Sequence, residues 1–141
     1  VEDALSATRS AIEEGIVPGG GATLLHIGQE VNIKNFSDDE KIGAQIVLNA
    51  LEEPLKRITE NAGYQGNIIA GQLRSLDNKI GFDAMTGQFV NMVESGIVDP
   101  TKVTRAALQN AVSIASLVLT TQTLIVEYQE EKMEQNEEHS H

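Results

Sequence analysis

The sequence predicts a mainly α protein with one small β-hairpin and one terminal β-strand. Three observations carry that expectation. Apolar residues recur at helical spacing through most of the chain, and a capping-box pattern precedes the longest such run. Only one stretch, 77–96, breaks into the Gly-marked turn and short apolar runs of a hairpin. The 141 residues, 40% of them hydrophobic, suffice for one domain with a core. The absence of Cys excludes disulfide staples and thiolate-held metals.

The elements follow in order. From about Glu2 to Glu14, Val1, Ala4, Leu5, Thr8, Ala11 and Ile12 repeat at i, i+3, i+4, so a helix with one buried stripe is expected. Gly15 is placed to stop it, and Pro18-Gly19-Gly20-Gly21 reads as a turn without side chains to block close approach. Ala22 to Val31 reads as a mostly buried helix. Ser37-Asp38-Asp39-Glu40 is the capping box, and behind it a long helix runs to about Ala62. Its expected inner face is Ile42, Ile46, Val47, Ala50, Leu51, Leu55, Ile58 and Ala62, and Pro54 inside it predicts a bend.

A shorter helix is expected over Asn67 to Leu76. The hairpin follows, with Ile80 to Ala84 and Gln88 to Val90 flanking Thr86-Gly87. Met92 to Ser95 reads as one helical turn. Asp99-Pro100 reads as a helix start, with Asp as the cap and Pro at the first position, where its missing amide costs nothing. That helix is expected to end near Thr121, with Val103, Ala107, Ala111, Ile114, Ala115 and Val118 on one packed side and further apolar residues on the other. Thr123 to Val126 reads as a short strand, and residues 127–141 as an acidic disordered tail with six acids against Lys132 alone.

Charge and hydropathy remove whole classes of function. Ten Lys and Arg against 21 Asp and Glu give a net charge of −11, which argues against a face that binds nucleic-acid phosphates. No apolar run is long enough to span a bilayer, so no membrane partner is expected.

Three blocks carry a family resemblance: Val1-Glu2-Asp3-Ala4-Leu5, Glu13-Glu14-Gly15-Ile16-Val17-Pro18-Gly19-Gly20-Gly21, and Gly96-Ile97-Val98-Asp99-Pro100-Thr101-Lys102-Val103-Thr104-Arg105. Together, in this order and spacing, they resemble the C-terminal part of a group I chaperonin of the GroEL type, from Val1 to about Glu127. The resemblance implies that residues 1–14 end the intermediate domain and residues 15–126 form the second half of the equatorial nucleotide-binding domain, with Gly15 at the hinge between them. It implies an ATP-dependent protein-folding chaperone that uses ATP and Mg²⁺. It also implies other chaperonin subunits in a heptameric ring, a co-chaperonin, and unfolded client proteins held by an apical domain absent from this sequence. The expected setting is the cytoplasm of a bacterium, or the matrix or stroma of an organelle. The metal ligands and most phosphate contacts belong to the other half of the subunit in this family, so the 141 residues alone are expected to be inactive.

Each candidate site residue has a plainer reading beside it. Asp3 matches the aspartate that positions or activates the attacking water, the one catalytic candidate; alone, it is an acid in a first helical turn, where anions are favoured anyway. Gly19 and Gly20 match glycines that touch the nucleotide's sugar and base region; alone, they are a hinge loop. Phe82-Asp83-Ala84-Met85 is similar to the adenine-side segment that reads Tyr-Asn-Ala-Ala in well-known members. Asp83 can accept from an adenine amino group but cannot donate, and the plainer reading is a hairpin whose Phe82 packs. Asp99 matches a ribose contact as well as a helix cap. His26, on an apolar helix, reads as a satisfied core residue, and no metal site is expected in these residues. A second reading, of another class, is a free-standing helical interaction or oligomerisation module descended from a chaperonin and lacking nucleotide chemistry.

Overall fold

The computed structural model describes residues 2–138, those from 121 onward by their backbone alone. Five helices and four short strands follow in the order α1 (Glu2–Glu14), β1 (Ile16–Pro18), α2 (Ala22–Glu30), α3 (Asp38–Asn61), α4 (Gly66–Leu73), β2 (Ile80–Asp83), β3 (Gln88–Asn91), β4 (Val98–Pro100) and α5 (Thr101–Glu138). The mainly α expectation holds, and the hairpin is β2–β3, with Phe82 opposite Phe89. Among the described helices none is long and apolar enough to cross a membrane.

The capping box forms as the sequence requires. Ser37 Oγ accepts from the Glu40 amide and the Glu40 carboxylate accepts from the Ser37 amide, which satisfies two orphan donors of α3. That helix carries the core. Leu55 meets Leu25 and Ala22 of α2, Ile69, Ala70 and Leu73 of α4, and Phe82 of β2, and Leu51 is buried one turn before it. Phe82 stacks edge-on between Tyr64 at 5.0 Å and Phe89 at 5.3 Å, so it does pack as the plainer reading had it. The inner face of α3 is Gly43, Leu51, Leu55 and Thr59, whereas Ile42, Ile46 and Ile58 are exposed. α3 and α5 cross closely at Gly43, where any Cβ would fall on Leu119.

Several expectations need correction. Asp99-Pro100 does not cap a helix but lies in β4, antiparallel to β1, with Asp99 opposite Val17. Pairing two three-residue segments far apart in sequence gives their backbones partners, and proline sits at one end of each strand, where a lost ladder bond costs least. Met92 to Gly96 forms turns rather than a helical turn. No strand forms at Leu124–Val126, because α5 runs through to Glu138. Neither Gly nor Pro interrupts residues 101–138, and extending a nucleated helix is cheaper than making a strand with no partner. Residues 127–138, expected to be disordered, continue that helix; they are rich in Glu, Gln and Lys, all good helix formers. His139 to His141 lie outside the described residues.

Two helices also turn other faces inward than expected. α1 buries no residue, and its stripe is open, with Leu5 66% and Ile12 81% exposed. It is held instead at its C-terminal end. Glu13 pairs with Lys102 at 3.1 Å, Glu14 with Arg105 at 2.6 Å, and the Thr101 amide donates to the Gly15 carbonyl. The inner face of α5 is Thr104, Leu108, Ala111, Ala115 and Leu119, leaving Val103, Ile114 and Val118 exposed. Glu52 on α3 is half-buried. Burial works to raise its pKa, but hydrogen bonds from Arg74 and Lys56 prevail and hold it below the usual carboxylate range.

Candidate functional site

The glycine loop between β1 and α2 is the structural centre of the candidate site. Packing calls for glycine at Gly19 and Gly21, and a positive φ calls for it at Gly20 and Gly21. The Gly19 amide donates to the Ile97 carbonyl at 2.9 Å, and a Cβ on Gly19 would stand 3.1 Å from the Ile97 and Val98 backbone. Gly20 has φ +64, and its missing Cβ would lie 3.0 Å from Met92 Cε, with the Phe82 carbonyl oxygen at 3.8 Å. Gly21, at φ +78, is the N-cap of α2, and a Cβ there would be 2.5 Å from the Leu55 nitrogen. Behind the loop, Thr23 Oγ1 donates to the Pro18 carbonyl at 2.7 Å. The loop is therefore a wedge fixed between β4, β2 and α3, and the hinge-loop reading does not describe it.

That wedge brings most of the candidate residues into one neighbourhood. Asp99 follows the Ile97–Val98 backbone on which Gly19 rests, and Asp83 follows Phe82, whose carbonyl faces Gly20. The Asp99 carboxylate takes no hydrogen bond or ion pair among the described residues, and its partial desolvation pushes its pKa upward. Four lone-pair sites on its oxygens are thus open to a donor.

Asp83 is differently placed. One of its oxygens accepts from the Met85 amide at 2.9 Å and the other from Thr86 Oγ1 at 2.8 Å, and the Thr86 bond foremost lowers its pKa. The residue organises the hairpin turn, closed by Gly87 at φ +71 donating its amide to the Asp83 carbonyl. Ala84 is half-buried against the core, and Met85 stands 96% exposed at the tip.

Asp3 is not in this neighbourhood. It is exposed in the first turn of α1, roughly 18 Å along the helix axis from Gly15. Gly15 has φ +84 and nothing within 4 Å of where a Cβ would stand, so the residue is glycine for its backbone conformation and not for space. Among the described residues no three metal-ligating side chains converge. What sequence reasoning missed is the contact of Gly21 with the backbone of α3, which no local signal announces. It also missed the turn-forming role of Asp83, for which the Asp-x-x-Thr spacing was available.

Comparison with known proteins agrees with this architecture. A group III chaperonin, solved in the open state, matches with a TM-score of 0.70 and 35% sequence identity. The match covers 79% of this chain and 24% of that one, so the chain spans about a quarter of the length of the chaperonin it resembles. The TCP-1/cpn60 chaperonin family matches residues 1–129. On that match and this fold, the chain belongs to the TCP-1/cpn60 chaperonin family.

Proposed function

We propose that these residues are part of the ATPase of a chaperonin subunit that assists protein folding, with ATP hydrolysis driving conformational change in a ring. Residues 1–14 close the intermediate domain, and residues 15–126 supply the second half of the equatorial domain. The group I type, with a heptameric ring and a co-chaperonin as partner, is what the resemblance of the three sequence blocks implies. The observation that supports the reading is the wedge itself, which packs Gly19 on the Ile97–Val98 backbone just before Asp99 and Gly20 against the Phe82 carbonyl just before Asp83.

Bound there, ATP supplies the phosphoryl group, and Mg²⁺, held by ligands outside these residues, offsets its charge. Asp99 accepts from the ribose hydroxyls. Asp83 keeps about two acceptor sites after binding Met85 and Thr86, enough to take one exocyclic amino group but not to donate. Asp3 orients the attacking water once α1 turns about Gly15, and the pairs of Glu13 and Glu14 with Lys102 and Arg105 oppose that turn. The test compares phosphate release by the complete subunit with that by the 141-residue chain. Release by the subunit and none by the chain is expected, and turnover by the chain alone would overturn the reading.

One observation favours the second reading, a helical oligomerisation module without nucleotide chemistry. α1 and α5 leave Leu5, Ile12 and Ile114 open to solvent. A complete subunit that assembles yet binds no nucleotide would decide for it.

A further inference from the structure

A cleft of about 490 Å³ opens on the far side of α2, between that helix, β1, and the residues flanking the hairpin. Its apolar walls are Val17, Pro18, Ile27 and Val93, and its size falls in the range of small-ligand sites. None of Asp3, Gly19, Gly20, Asp83 or Asp99 lines it, so it stands apart from the nucleotide reading.

His26 forms part of the cleft wall and is only 7% exposed. Its Nε2 lies 3.1 Å from the Ile80 carbonyl oxygen. A carbonyl only accepts, so Nε2 carries the proton and Nδ1 of the neutral ring is an acceptor. Nδ1 has no partner among the described residues, yet no buried side-chain nitrogen or oxygen is left unsatisfied. Nδ1 therefore reaches open space, and the cleft is the space that His26 lines. A nearly buried side chain thus leaves one ring nitrogen open to solvent beside the cleft. Glu30 lies one helical turn further along α2, and Glu94 stands on the turn after β3. Both carboxylates, and the lone cation Lys79 at the rim, are without ion pairs among the described residues.

We propose that this cleft binds a small organic ammonium, an apolar body carrying one primary amine. The body covers the aliphatic walls. The ammonium has three donors and no acceptor, which matches an imidazole acceptor and an excess of carboxylates. An anion would find Lys79 alone against an imidazole acceptor and two carboxylates, and a neutral alcohol would forgo the charge.

The test titrates the 141-residue chain with n-butylammonium, n-butanol and n-butyrate, following backbone amide shifts. The expected result is saturable shifts at Thr23, His26 and Asn91 with n-butylammonium, at least fivefold tighter than with n-butanol, and none with n-butyrate. The double variant Glu30→Gln/Glu94→Gln, both exposed positions, should bring the ammonium to within twofold of the alcohol. His26→Phe keeps an aromatic ring in the cleft wall, removes the acceptor, and should weaken the ammonium alone. If His26→Phe fails to fold, the double variant decides. Equal binding of all three probes, shifts confined to other surfaces, or an unchanged ratio in the double variant would overturn the proposal.

Discussion

Replacing Gly21 with Ala isolates what the glycine loop does. Two costs are visible in the structure. At φ +78 an L-residue pays about 1–2 kcal/mol for the left-handed conformation. The new methyl would also stand 2.5 Å from the Leu55 nitrogen and 2.9 Å from its Cα, atoms of a helix backbone that cannot rotate away. Forcing α2 and α3 apart adds about 1–3 kcal/mol, as overpacking of a core does. The sum, about 3 kcal/mol, lowers the melting temperature by roughly 10 °C in a domain of this size. Gly15→Ala is the control, because Gly15 has the same sign of φ (+84) but nothing within 4 Å of the added atom. It should cost about 1 kcal/mol, a loss of roughly 3 °C. Thermal unfolding of both variants by far-UV circular dichroism makes the comparison. Equal melting temperatures for the two would refute the packing argument, since conformational strain would then account for the whole effect.

Further expectations concern the charged groups. Asp83→Ala removes the acceptor for Met85 and Thr86 and should accelerate amide exchange at the hairpin tip while leaving α3 protected. Because the folded pKa of Asp83 is lowered, its contribution is present above the unfolded value of about 3.8 and fades as pH falls through the folded one. Acid titration should therefore weaken the wild type more than Asp83→Ala. Asp99 has the opposite sign: its folded pKa is raised, so the charged form is a cost at neutral pH that protonation relieves. Asp99→Asn should be slightly more stable than wild type at pH 7, with the gain vanishing below the Asp99 pKa, in parallel unfolding curves. α1 buries nothing, so losing the exposed Glu13–Lys102 pair, worth about 0.5 kcal/mol, should raise its local opening roughly twofold in Glu13→Gln, measured by hydrogen exchange.

How much of this was legible in the sequence depends on how local each signal was. The start of α3 is set by Ser37 and Glu40, three residues apart, whose side chains and amides satisfy one another, so the capping box was readable without the fold. The hairpin was readable for the same reason, because Thr86-Gly87 and its flanks are neighbours in sequence. The β1–β4 pair was not. Each strand is three residues long, too short for periodicity, and Asp99-Pro100 carries an equally good helix-start pattern. The inner face of α5 was undetermined for another reason: apolar residues lie on both sides, and only the position of α3 selects Leu108, Ala115 and Leu119 over Ile114 and Val118. At the site, the sequence named the glycines but not their contacts. Leu55 is more than thirty residues from Gly21, and nothing near either of them records the approach.

The most direct measurement is ATP hydrolysis by the complete subunit with Asp3→Ala. The account predicts a fall in kcat of about 100-fold or more, with nucleotide binding retained, because a group that orients and deprotonates the attacking water is lost while the wedge at Gly19 and Gly20 is untouched. Turnover at the wild-type rate would contradict it.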